Sequence, residues 1–156
     1  MQNVNSDDVL PEFKLPKDRY DRIYDKLLKL IPDLRELKIC DSRTSKSGIG
    51  AMDLHLNVLD KEKDYMIISL DHTYRHPSGD TIPDPDMQIR VHLQENWNKA
   101  EALTYQDTYV SQEVYPEPGK VYPKLKTQLN SFLRQWLINL KNQGHDLSKE
   151  NCPDAL

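Results

Sequence analysis

The segment from Pro123 to Gly144, PKLKTQLNSFLRQWLINLKNQG, limits what this chain can fold into more than any other stretch. Leu125, Leu129, Phe132, Leu133, Trp136, Leu137 and Leu140 recur at steps of three and four, which gathers them into one stripe of an amphipathic helix. Pro123 stands where a helix start tolerates a missing N–H, and Gly144 supplies the positive φ of a helix stop. So long an apolar stripe must be covered, and the upstream chain has to provide the cover.

A second helical stripe runs from Lys17 to Ile31 through Tyr20, Ile23, Tyr24, Leu27, Leu28 and Ile31, and Pro32 ends it. On its wet side Asp18/Arg22 and Asp25/Lys29 are spaced for i,i+4 pairing. The period then changes from 3.6 to 2, the mark of half-buried strands. Leu37 and Ile39 suggest a short strand, and Ser42 to Gly50 reads as a polar loop. Cleaner alternation follows in Met52 to Val58, Tyr65 to Leu70 and Met87 to Leu93, with Lys99 to Tyr105 as a fifth strand. His76 to Asp86, with three prolines and three aspartates, reads as a long loop, and Thr108 to Tyr122 as a tyrosine-rich one.

The order α-β-β-β-β-β-α predicts an α+β fold: an antiparallel meander of about five strands with an N-terminal and a C-terminal helix packed on one face. Residues 1–156 read as a single domain, with 1–16 an arm docked through Val9, Leu10, Phe13 and Leu15, 17–144 the folded core, and 145–156 a flexible tail.

Composition then narrows the function classes. No run approaches the ~18 apolar residues of a membrane span, so no membrane partner is expected. A formal net charge of −4 argues against a general nucleic-acid binder. The stretch MQNVNSDDVLPEF has neither the basic start nor the apolar run of a secretory or transit peptide, which suggests a cytoplasmic protein. Cys40 and Cys152 are the only cysteines and suggest reduced thiols rather than a disulfide framework. Walker, nucleophile-elbow, Rossmann, HExxH and paired CxxC motifs are all absent, and no cofactor is implied.

Two groups of residues stand out as candidate sites. The outer face of the sheet would carry Asp53, His55, Arg90 and His92, a mixture able to bind an anion or to run acid–base chemistry, although solvation of a one-sided sheet also requires polar residues there. The start of the C-terminal helix brings Lys120, Lys124 and Lys126 to free backbone N–H groups, an arrangement that opposes the helix dipole unless an anion or partner binds. Asn130, beside the apolar stripe, needs hydrogen-bond partners if buried and could tie the helix to the Tyr115–Pro116 loop. His55, His72, His76 and His92 with Asp71 lack zinc-site spacing, and Asp80, Asp84 and Asp86 lack the closing Glu of an EF-hand, so no metal site is assigned.

Lys126, Gln128, Asn130, Phe132, Leu133, Trp136 and Leu137 fit the ending K-x-Q-x-N-x-F-L-x-x-W-L, while Met87, Arg90 and Val91 fit M-x-x-R-V/L and Tyr115 with Pro116 forms a YP dipeptide. On these residues the chain, over roughly 18 to 143, resembles the YqiB-like family of uncharacterised bacterial proteins (domain of unknown function 1249). It departs in having Lys124 and Leu125 where relatives carry an acidic pair. The resemblance implies a small bacterial cytoplasmic α+β protein and brings no reaction. The residues themselves suggest a non-catalytic module that binds a protein partner or a small anionic ligand through the polar sheet face or the loop Tyr105 to Tyr122. The alternatives are a small hydrolase using His55, Arg90 and His92, and RNA contact through Lys120, Lys124 and Lys126.

Overall fold

The computed structural model describes residues 16–46, 52–75, 77–79 and 81–152. The expected docking of Val9, Leu10, Phe13 and Leu15 lies outside them, as do His76, Asp80 and residues 47–51 and 153–156.

Asp18 starts the first helix, α1 (Arg19–Leu30). Its carboxylate accepts from the N–H of Tyr20 (2.9 Å) and Asp21 (3.0 Å), and the Asp21 carboxylate accepts from the N–H of Asp18 (2.9 Å), which closes a capping box. Ile23, Tyr24, Leu27 and Leu30 turn inward. The chain leaves α1 through a 3₁₀ turn at Leu34–Glu36 that buries Leu34 and Leu37.

Seven antiparallel strands follow: β1 (Ser42–Lys46), β2 (Asp53–Lys61), β3 (Tyr65–Arg75), β4 (Thr81–His92), β5 (Ala100–Ala102), β6 (Thr104–Gln106) and β7 (Ser111–Glu113). Their order is β1-β2-β3-β4-β6-β7, with β5 also on β4, so sequence neighbours are sheet neighbours. The last helix, α2 (Pro123–Asn142), has Pro123 in its first turn and ends at Gly144 with φ +87°. Ile23, Leu27 and Leu30 of α1 meet Leu129, Leu133, Leu137 and Leu140 of α2 over Leu54, Leu56, Met66, Ile68, Leu70, Met87, Ile89 and Val91 of the sheet, in one buried cluster. The architecture is therefore the α+β meander expected from the alternation. Among the described residues no helix is long and apolar enough to cross a membrane.

Four local expectations are corrected. Leu37–Ile39 is a turn, with Cys40 at φ +70° and the Lys38 N–H bound to the Asp41 carboxylate (2.7 Å). The first strand is instead Ser42–Lys46, from the expected polar loop. Its inward residues are polar because they make specific bonds, Arg43 to Asp33 (2.6 and 2.7 Å) and Ser45 to His145 (3.0 Å). The proline-rich loop shrinks to a turn through residues 77–79, since Arg75 already faces Thr81 and Thr73 faces Pro83. Over residues 81–85 no described strand covers the far side of β4, and an edge tolerates proline. The fifth strand is broken at Leu103 into β5 and β6, and β7 continues the sheet into the tyrosine-rich loop. Phe132, counted in the apolar stripe, lies at its margin, 39% exposed beside the rings of Tyr105 and Trp136.

The expected flexible tail is also corrected for residues 145–152. His145, Leu147, Ser148 and Cys152 are buried; the Leu147 N–H binds the Leu30 carbonyl (2.9 Å), the Leu147 carbonyl accepts from Arg43 (3.0 Å), and the Cys152 thiol donates to the Thr44 carbonyl (3.1 Å). The segment straps β1 to the end of α1. Inside it the imidazoles of His145 and His72 meet edge-to-face with centroids 5.3 Å apart, and neither Nε2 has a hydrogen-bond partner.

Asn130, 1% exposed, joins α2 to the sheet. Its Oδ1 accepts from the Ala102 N–H (2.8 Å) and its Nδ2 donates to the Lys126 carbonyl (2.7 Å), so the amide ties the helix to β5 rather than to the Tyr115–Pro116 loop.

Two outcomes follow. Asn130→Ala leaves the Ala102 N–H buried without an acceptor and should cost about 1–3 kcal/mol in denaturant unfolding; an unchanged midpoint would show that water replaces the amide at no cost. Burial pushes the proton affinity of His72 and His145 below the ordinary 6.5; His145 lowers that of His72 further, and Asp53 acts in the opposite sense on both. A depressed folded-state value means that the unfolded chain takes up protons first. Stability is thus complete above 6.5 and declines as pH falls below it, by roughly 1 kcal/mol per pH unit for each histidine. Urea midpoints between pH 7.5 and 5.5 should fall, and His145→Gln should flatten the slope.

Candidate functional site

On the outer face of the sheet each row of side chains is set by register. Arg90 of β4 stands opposite Glu101 of β5, whose neighbours Ala100 and Ala102 point into the core. Glu101 does not pair with Arg90. One of its oxygens accepts from the Tyr115 hydroxyl (2.5 Å), and the other faces His92 Nε2 (3.2 Å). With its nearest carboxylate occupied, the Arg90 guanidinium lies over the rings of Tyr65 (5.7 Å) and Tyr115 (5.8 Å), and makes no hydrogen bond or ion pair among the described residues. Stacking on ring faces keeps the N–H edge of the fork available.

Tyr115 begins the loop that walls this position. The Tyr122 N–H returns to the Val114 carbonyl (2.9 Å), the Val114 N–H binds the Leu103 carbonyl (2.9 Å), and the Lys120 N–H binds the Glu117 carbonyl (3.0 Å), with Gly119 at φ +80° making the reversal. Pro116 and Pro118 fix two more φ angles. The pinned loop and Arg90 enclose a cleft of about 610 Å³, with Lys120 on its wall. Lys120 is exposed and reaches Glu117 (3.2 Å).

Lys126 approaches Tyr115 from α2. Its ammonium stands 5.4 Å from the Tyr115 ring centroid and 5.5 Å from that of Tyr20. Its proton affinity is raised chiefly by a hydrogen bond to Tyr115, against the cost of burial, with Glu101 adding to the rise. The Tyr115 hydroxyl is likewise shifted upward, first by burial and then by Glu101, so it remains a protonated donor at neutral pH. The arrangement is one carboxylate, fully engaged, holding a tyrosine upright between two cations. It can bind negative charge; it presents no nucleophile with an adjacent base.

The two predicted groups thus meet in part. Arg90 and His92 from the sheet face join Lys120 and Lys126 from the helix start, through Tyr115 and Glu101, neither of which was assigned a site from sequence. Alternation gives a signal for Glu101, the one outward residue between two buried alanines; for Tyr115 only the YP dipeptide does. Lys124 projects away beside Thr127 and Gln128. Asp53 and His55 lie elsewhere: His55 bonds the Thr44 (2.9 Å) and Thr73 (3.1 Å) hydroxyls and faces Asp71, which faces Asp86. Four residues and two strand spacings separate His55 from Arg90, about 16 Å. Burial raises the proton affinity of both Asp71 and Asp86. His72 is buried against His145, and no group of three or more His, Cys, Asp or Glu that could hold a metal ion occurs among the described residues.

Fold and cleft together define an α+β antiparallel-sheet protein with a cleft beside Arg90 and the Tyr115–Val121 loop. A model described as a domain of unknown function, DUF6908, matches residues 22–146, and the chain belongs to that family. The YqiB-like family, which the ending of the chain resembles, is not the one whose model matches. No curated protein and no solved structure matches the chain.

Glu101→Ala should leave the Tyr115 hydroxyl and His92 Nε2 without their shared acceptor. A loss of about 1.5–3 kcal/mol is expected for hydrogen bonds to a charged group, with Glu101→Gln intermediate by thermal unfolding.

Proposed function

We propose that this protein is a non-catalytic binding module that takes a small anionic ligand, a carboxylate or phosphate, in the cleft between Arg90 and the Tyr115–Val121 loop. The observation that carries the reading is Arg90: a guanidinium braced by Tyr65 and Tyr115, left without a counterion because Glu101 is engaged by Tyr115 and His92. Lys120, paired with Glu117, stands on the wall, and the cleft falls in the size range of ligand pockets, roughly 300–1,000 Å³. Cys40 and Cys152 are both free thiols, which fits a reducing compartment such as the bacterial cytoplasm.

A second reading is favoured by the rim. Val121 and Tyr122 are 43% and 56% exposed beside the cleft, so the anion could be an acidic side chain of a protein partner that also covers this apolar edge. A hydrolase built on His55, Arg90 and His92 has less support, because the register separates its members.

Calorimetric titration with citrate and inorganic phosphate, read alongside native mass spectrometry of gently purified protein, tests the site. Arg90→Ala should weaken binding about 10–100-fold, the equivalent of one charged hydrogen-bonding group, and Arg90→Lys should recover only part of it, because an ammonium lacks the planar fork. Equal affinity in wild type and Arg90→Ala would reject the assignment. Retained mass that includes a protein chain, lost on Tyr122→Ala, would favour the partner reading.

A further inference from the structure

The acidic residues of α1 bind different cations from those that helical spacing suggests. Asp18, spaced to pair with Arg22, caps the helix and binds Lys99 (2.9 Å), and Asp21 binds the same ammonium (3.1 Å). Asp25, spaced to pair with Lys29, binds Lys17 (2.5 Å). Arg22 is therefore released. Across the groove on α2, Arg134 lies one turn beyond Asn130, and Arg19 lies one turn before Arg22. Lys17, Arg19, Arg22, Ser131 and Arg134, with Asn130 at the base, line a cleft of about 340 Å³ between the helices. The side chains of Arg19, Arg22 and Arg134 make no hydrogen bond or ion pair among the described residues, and the Asn130 amide is already engaged with Ala102 and Lys126.

We propose that this interhelical groove is a second anion site, distinct from the Arg90 cleft, that binds a phosphate-bearing ligand through Arg19, Arg22 and Arg134. Three guanidiniums around one space repel one another unless an anion lies between them, and among the described residues no acid lines this groove. The residue type indicates the ligand. Arginine presents a rigid fork matched to phosphate oxygens, and three of them call for a dianion or diphosphate rather than a single carboxylate. Ser131 offers a neutral hydroxyl beside them. The positive potential is felt along the helix: burial first, and then Lys29, Arg134 and Arg22, lower the proton affinity of Lys26.

Inorganic pyrophosphate is the probe, titrated calorimetrically near physiological ionic strength against acetate as a monoanion control, with ATP in a parallel arm. Pyrophosphate should bind and acetate should not. Arg22→Ala and Arg134→Ala should each weaken pyrophosphate at least about tenfold, while Arg90→Ala should leave it unchanged. Comparable affinity for ATP would indicate a nucleotide source, and exclusion of ATP a free phosphate or diphosphate. Without ligand, the Arg22→Ala and Arg134→Ala proteins should melt no lower than wild type, because a repulsion has been removed; this separates lost binding from lost folding. The proposal is overturned if pyrophosphate fails to bind, if it binds equally to the Arg22→Ala/Arg134→Ala double variant, or if Arg90→Ala alone abolishes binding.

Discussion

One side-chain amide sets how α2 sits on the sheet. β5 is a three-residue strand with no described strand beyond it, and Ala102 is fully buried, so its N–H without an acceptor would be costly. Asn130 supplies the acceptor and, through Nδ2, locks itself to its own helix at Lys126. That pair of bonds determines both the height and the rotation of α2 against the sheet. One turn before Asn130 the helix puts Lys126 against Tyr115 and Tyr20, and one turn after it puts Arg134 opposite Arg22. The groove shared by Arg22 and Arg134 forms around that contact, with Asn130 in its lining.

The second organising constraint is how the carboxylates are allotted. The chain has more acidic than basic residues, yet the acids nearest to the clefts are all engaged: Glu101 by Tyr115 and His92, Glu117 by Lys120, Asp18 and Asp21 by Lys99, Asp25 by Lys17. Lysine is the partner in four of those bonds and arginine in none. The exception is Arg43, whose bidentate bond to Asp33 and further bond to the Leu147 carbonyl fasten the C-terminal strap; that arginine is buried and structural. Arg19, Arg22, Arg90 and Arg134 remain accessible on the surface or in a cleft, where a planar fork is of most use to a ligand.

What could be read from the sequence depended on whether apolar residues carried the pattern. Both helices and the alternation of β2, β3 and the second half of β4 are legible because Leu, Ile, Val and Met occupy most inward positions. β1 was not, because its inward residues are Arg43 and Ser45, whose partners Asp33 and His145 are distant in the chain. The strap was missed for a related reason: Leu147 and Cys152 are too sparse to show a period, and its anchoring consists of single hydrogen bonds to Leu30, Arg43 and Thr44. Arg90, Lys120 and Lys126 were legible as unusual residues, but nothing in their spacing reveals that Tyr115 and Glu101 connect them.

An antiparallel sheet orders its outer face into rows, and a group of polar residues acts together only within a row or between adjacent rows. His55, Asp71 and Asp86 occupy one row, Arg90 and Glu101 another, four residues along β4. The intervening row is Asn57, Ser69 and Gln88, none of which carries charge. That neutral row screens the acidic end of the face from the basic end. Asp71 and Asp86, partly buried and facing each other, therefore titrate in an acidic surrounding tempered by His55, whereas Arg90 is left to Tyr65, Tyr115 and whatever anion enters from solvent. Separation by register gives one sheet face two electrostatic regions, and only the one next to α2 has a pinned loop to enclose a ligand.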